Sequence, residues 1–120
     1  MRVLIVDDDE GVSDVLSRLF SRWGWTLDAR GTVSDAHVLF KERHYDLAVC
    51  DVDLPDGNGI DMAHAFLDEK PFTRILILSG DPGNLDKARD SGLSECLQKP
   101  FEFGELKALI ETPRSKTRSL

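Results

Sequence analysis

Three short apolar runs punctuate the chain, Val3 to Val6, Leu47 to Cys50 and Ile75 to Leu78. Each is too short for a helix and lacks a polar face, which predicts parallel strands buried on both sides. Thr26 to Arg30 and Glu95 to Gln98 mix polar with apolar residues and suit strands at the edges of a sheet. Between the strands, apolar residues recur at helical spacing. Val12, Val15, Leu16, Leu19, Phe20 and Trp23 mark a first helix, closed by Gly24. Ala36, Leu39 and Phe40 mark a second, with Ser34 as its expected N-cap. Ile60, Ala63 and Leu67 mark a third, stopped before Pro71. A short fourth spans Asn84 to Ser91 ahead of Gly92, and a fifth carries Phe103, Leu106, Leu109 and Ile110 and stops before Pro113.

Five strands in strict alternation with five helices predict an α/β fold with a doubly wound parallel sheet. With the two polar strands at the edges, the order is 2-1-3-4-5, a flavodoxin-like topology. Its switch point falls between the first and third strands, and ligands bind such sheets there, outside the carboxyl ends of the strands.

The residues at those carboxyl ends carry the chemistry. The first strand runs straight into Asp7, Asp8, Asp9 and Glu10; the third ends at Asp51, with Asp53 and Asp56 following. The fourth gives Ser79 and Gly80, and the fifth gives Lys99 and Pro100. Like charges about 4 Å apart repel by roughly 4 kcal/mol at an effective dielectric near 20. Such an acidic cluster therefore needs a cation, or some of its acids must stay protonated. All-oxygen ligands favour a hard ion, and Mg²⁺ takes one or two carboxylates plus waters. Carboxylates, a hydroxyl, a lysine and Mg²⁺ are the parts of a phosphoryl-transfer site. Asp51 is the expected nucleophile, forming an acyl phosphate. In a wet rim it is expected to keep a low pKa and to need no separate base.

Composition narrows the class. At 120 residues, 41% hydrophobic and 31% charged, the chain fits one ordinary globular domain. No apolar run approaches the roughly 20 residues of a membrane span, and no signal-peptide pattern opens the chain. The net charge of −7 argues against nucleic-acid binding by this domain. Residues 113 to 120 hold Arg114, Lys116 and Arg118 and no acid, so without them −7 becomes −10 over residues 1 to 112. The expected division is a domain over 1–112 and a basic, disordered tail or linker over 113–120. Cys50 and Cys96 form no metal or disulfide spacing, which suits a reducing cytoplasm. Cys50 is expected in the core, and His37, His44 and His64 at the surface. Trp23 is expected on the first helix's apolar face, with Trp25 partly exposed. Asp9 and Glu10 are expected to serve only the helix N-terminus, and Asp56 to Gly59 to form a turn.

The motifs resemble those of the response-regulator receiver domain of two-component signalling, over residues 1 to about 112. "LIVDDDE" resembles its acidic pair, at Asp7 and Asp8. "CDVDLPDGNG" resembles its phospho-acceptor segment, at Asp51 with Leu54, Pro55 and Gly59 following. "LILSG" supplies the hydroxyl at Ser79 and "QKPF" the pair Lys99 and Pro100. The resemblance implies a regulatory phospho-acceptor rather than an enzyme acting on other substrates. It implies Mg²⁺ held by Asp7, Asp8, Asp51 and the backbone carbonyl of Asp53, with Ser79, Gly80 and Lys99 at the phosphoryl group. The Lys99–Pro100 bond is implied to be cis. The implied partners are a sensor histidine kinase or a histidine phosphotransfer protein, an output domain or downstream protein, and a second copy on phosphorylation. Output is implied through the fourth-helix and fifth-strand face. One departure stands out: Cys96 occupies the switch position where receivers carry Tyr or Phe.

"DVDLP" also resembles the nucleophile motif of haloacid dehalogenase-type phosphatases, with Asp51 as nucleophile and Asp53 as general acid. There the acidic pair follows the lysine, whereas here it comes first, and the chain has no room for a cap domain. A pseudo-receiver, a protein-interaction module that is never phosphorylated, is a further alternative, opposed by the intact set of site residues. A flavodoxin would meet its phosphate with Asp7 to Asp9, which repel it.

Overall fold

Alternation of side chains along three central strands sets the architecture of this computed structural model, which describes residues 1–112. The tail expected at 113–120 lies outside them. In chain order the elements are β1 (Arg2–Val6), α1 (Glu10–Arg22), β2 (Thr26–Arg30), α2 (Val33–Glu42) and β3 (Leu47–Asp51). There follow β4 (Asp53–Leu54), β5 (Gly57–Asn58), α3 (Gly59–Glu69), β6 (Arg74–Ser79), α4 (Pro82–Asp90), β7 (Cys96–Gln98) and α5 (Phe103–Glu111). The main sheet is parallel, in the order β2-β1-β3-β6-β7. This is the expected topology; the extra labels belong to the small antiparallel β4–β5 ribbon, where a plain turn was expected.

One face of the sheet carries Leu4, Val6, Ala48, Cys50, Ile75 and Ile77 beneath α2, α3 and α4. The other carries Val3, Ile5, Leu47, Val49, Leu76 and Leu78 beneath α1 and α5. Strands buried on both faces need no polar alternation, which is why these runs are continuous. Phe40 stacks on Phe66 with ring centroids 4.0 Å apart, joining α2 to α3, and both rings are fully buried. Phe66→Ala should cost about 3–5 kcal/mol of stability, as such core truncations do. A urea melt showing less than 1 kcal/mol would mean this layer repacks freely.

Helix starts differ from the sequence expectation in two places. α2 is capped by Thr32, whose Oγ1 accepts from Asp35 N, while Ser34 already lies inside the helix. Thr32 has the extended backbone that an N-cap needs. α4 begins two residues earlier than Asn84, because Asp81 caps it and Pro82 occupies its first turn. β7 is one residue shorter than expected, and Glu95 contributes its carbonyl to Ile77 N. Arg74 holds the far end of α5, donating to the carbonyls of Leu109 (2.7 Å) and Ile110 (3.2 Å). Cys50 is buried, and burial pushes its thiol up to about 12. His44 is exposed; His37 and His64 are half-buried at the surface, against Glu69 and Ser91 respectively. Trp23 and Trp25 are both half-buried against Phe20. No helix among the described residues is long and apolar enough to cross a membrane.

Candidate functional site

The carboxyl ends of the parallel strands bring the chemistry-bearing residues to one rim. Asp7 follows β1, its N–H donating to Arg30 O (3.1 Å). Asp51 is the last residue of β3 and Ser79 the last of β6. Lys99 follows β7, held by its N–H to Ser79 O (2.9 Å), and the Lys99–Pro100 peptide bond is cis. Oxygens of Asp7, Asp8 and Asp51 all lie within 4.8 Å of one another. Asp8 is exposed, whereas Asp7 and Asp51 are buried, the Asp7 side chain to 1% exposure.

Lys99 compensates this buried charge. Its Nζ donates to Asp7 Oδ2 at 2.7 Å and lies 3.3 Å from Asp51 Oδ1. Burial alone would depress its ammonium, but the two carboxylates outweigh that and raise its pKa. Asp51 also moves up, to about 6, because burial and then the Asp7 charge outweigh the pull of Lys99. This corrects the expected low pKa: the rim is wet at Asp8 but not at Asp51. Asp51 remains mostly ionised at pH 7, and any cation placed among the three carboxylates would drive it further that way.

The loops hold this cluster in place. Asp9 caps α1, accepting from Gly11 N and Val12 N, and Asp9 N donates to Asp7 Oδ1 (2.9 Å). Val52 N donates to Asp51 Oδ1 (3.0 Å). Asp56 does more than form a turn. Its carboxylate accepts from Val33 N (2.7 Å) and Ser34 N (3.1 Å), bonds that lower its pKa and fasten the β4–β5 ribbon to the start of α2. Asn58 caps α3. Gly59 meets the backbone so closely that a Cβ there would stand 1.7 Å from Asp51 O.

The remaining candidates lie around this centre. Asp53 is exposed on β4, and Gly80 is exposed just after Ser79. Cys96 is half-buried, and its Sγ donates to Leu93 O (3.4 Å), placing the thiol on the α4 side of the sheet rather than among the carboxylates. Ser79 Oγ accepts from Asp81 N (3.0 Å) and from Asn84 Nδ2 (3.3 Å), and Asn84 Nδ2 also reaches Asp53 Oδ2 (3.3 Å). Sequence reasoning missed Asn84. Its only local signal is a place in the first turn of α4, and the contacts that matter span up to 31 positions.

The raised pKa of Asp51 predicts a pH signature without metal. A carboxyl whose pKa is higher folded than unfolded contributes stability that is complete below about pH 4 and lost as pH rises through about 6. Relative to Asp51→Asn, the wild type should therefore lose about 2–3 kcal/mol between those values. Urea melts of both proteins in a chelator, at pH 4.5 and 7, check this; parallel pH profiles would contradict it.

Comparison with known proteins agrees with this geometry. The family model of the response regulator receiver domain matches residues 3–111. The chain is 31% identical over 111 residues to the DNA-binding transcriptional regulator NtrC of Azospirillum brasilense, covering 91% of this chain and 23% of that protein. The receiver domain of HemR from Leptospira biflexa superposes with a TM-score of 0.81 at 30% identity, covering 97% of this chain and 98% of that one. The response regulator TrrA of Thermotoga maritima, solved in complex with Mg²⁺ and BeF, superposes with a TM-score of 0.83 at 25% identity, covering 91% and 95%. The chain spans only 23% to 50% of the length of three curated relatives it matches.

Proposed function

Because the chain belongs to the response regulator receiver domain family, we propose that it is the phosphorylation-controlled receiver of a two-component system, with Asp51 as its phospho-acceptor. One observation carries this reading: three carboxylates crowd within 4.8 Å while Lys99 spans two of them. The donor set fits Mg²⁺, being all oxygen and partly open to water at Asp8. Asp7, Asp8, Asp51 and the backbone carbonyl of Asp53 would hold the ion, which when bound offsets the negative charge of the phosphoryl oxygens.

An Asp51 carboxylate oxygen attacks phosphorus, the P–N bond of a phosphohistidine breaks, and the released imidazole takes up a proton. The donor is a sensor histidine kinase or a histidine phosphotransfer protein. Lys99 and the Ser79 hydroxyl then donate to the phosphoryl oxygens, with the Gly80 backbone beside them. Water later hydrolyses the acyl phosphate, so the domain promotes only its own phosphorylation and dephosphorylation. The haloacid dehalogenase alternative would use the Asp53 carboxylate as an acid at the reacting centre, whereas that carboxylate is engaged by Asn84. We assign output to the α4–β7 face, read by a further domain, a separate protein or a second copy. Any DNA contact belongs outside residues 1–112, whose charge repels phosphate. Free cysteines fit a cytoplasmic setting.

Millimolar Mg²⁺ should shift amide resonances at residues 7–9, 51–53 and 79–80, and beryllofluoride should extend the change only when Mg²⁺ is present. Both tryptophans sit at the far end of α1, about 20 Å away, so their fluorescence is a poor reporter. Asp8→Asn should weaken Mg²⁺ binding by roughly tenfold or more, because a charge-assisted contact is lost. An unchanged titration in Asp8→Asn would sink the proposed metal site.

A further inference from the structure

Cys96 offers only a small thiol, on the α4 side of the sheet, to relay a change at the site. The described residues nevertheless contain a direct tie between the phosphoryl site and α4. A hydroxyl can accept two hydrogen bonds and donate one. Both acceptor positions of Ser79 Oγ are taken from one direction, by Asp81 N (3.0 Å) and Asn84 Nδ2 (3.3 Å). Its single O–H proton is thereby left for a different acceptor. The second N–H of the Asn84 amide reaches Asp53 Oδ2 at 3.3 Å, on the loop that follows Asp51. Asp81, the N-cap of α4, and Asn84, in its first turn, thus attach that helix to both sides of the site.

We infer that Asn84 is a positioning residue that couples α4 to the phosphoryl site, through the Ser79 hydroxyl on one side and the β3–α3 loop on the other. The inference rests on the proposed phosphorylation of Asp51. When Ser79 Oγ draws closer to a phosphoryl oxygen to bring its proton within hydrogen-bond reach, it shifts relative to two donors that belong to the start of α4. Either the helix start follows, or those bonds break and the first turn loosens. The exchange of α4 amides reports both outcomes. Because coupling is reciprocal, a variant lacking the tie changes the response of α4 without removing the acceptor or its ligands.

The test compares wild type, Asn84→Ala and Asn84→Asp by amide hydrogen exchange, with and without Mg²⁺ and beryllofluoride. Asn84→Asp keeps the shape and removes both N–H donors. Thermal melts confirm that each variant is folded, and intact mass after a small phosphodonor reports acceptance at Asp51. The expected result is one added phosphoryl group on all three proteins, with the exchange change over residues 82–90 present in wild type and lost in both variants. Equal exchange changes in wild type and the variants, or no change over 82–90 in wild type, would overturn the coupling while leaving phosphorylation intact. Failure of either variant to accept a phosphoryl group would also overturn it, by making Asn84 part of the acceptor chemistry. No adduct on wild type would overturn the proposed function itself, and the coupling with it.

Discussion

Gly59→Ala is expected to lower the melting temperature by roughly 10–20 °C, since overpacking of this severity costs about 3 kcal/mol. The cause is local and steric. A Cβ at position 59 would stand 1.7 Å from Asp51 O and 2.7 Å from Asp51 C, and backbone cannot rotate away as a side chain can. The Gly59 N–H also donates to Val52 O at 2.7 Å, a bond that would be strained by any retreat of α3. The structure can relieve the clash only by moving the end of β3 or the start of α3. Movement of β3 displaces Asp51 directly, and retreat of α3 pulls on the adjoining Val52 through that bond, so the surviving folded protein should bind Mg²⁺ and accept a phosphoryl group poorly. Differential scanning calorimetry and the Mg²⁺ titration check both halves. A variant that melts within about 2 °C of wild type would show that this contact is far more compliant than its geometry indicates.

Lys99→Ala should be the most damaging change among the polar site residues in the absence of metal. It leaves Asp7 and Asp51 facing each other without their cation, and removing one partner of a buried ion pair costs about 3–5 kcal/mol. Asp51 would respond by holding its proton to higher pH, which softens the loss below neutrality. Mg²⁺ should restore much of the stability, because it replaces the missing charge among the same oxygens. Signalling should not recover, because the ammonium that would meet the phosphoryl oxygens is gone. Urea melts with and without Mg²⁺ separate these effects. Equal loss in both conditions would mean that Lys99 acts through packing of its stem.

How far the sequence could be read varies along the chain, for physical reasons. The central strands were legible because burial on both faces writes itself as unbroken apolar runs at Val3–Val6, Leu47–Cys50 and Ile75–Leu78. The polar character of Thr26–Arg30 and Glu95–Gln98 placed those strands at the edges, and the strand order then brought Asp7, Asp8, Asp51, Ser79 and Lys99 to one rim. Capping was less legible. Thr32 and Ser34 are both acceptable caps, and the choice depends on backbone angles that Asp56 enforces from 22 or 23 residues away. The start of α4 could have been read from Asp81 followed by Pro82. The raised pKa of Asp51 was not readable, because it reflects how deeply the end of β3 sits and how near the fold brings Asp7, neither of which is written in the residues adjacent to it in sequence. Asn84 was invisible for the same reason: its partners are assembled only by the fold.

Intact-mass spectrometry after incubation with a small phosphodonor tests the central claim most directly. Wild type with Mg²⁺ should gain one phosphoryl group, labile in base, while wild type with a chelator and Asp51→Asn with Mg²⁺ should gain none. A base-stable adduct on Ser79, or an adduct of equal yield in Asp51→Asn, would contradict the assignment of Asp51 as the phospho-acceptor.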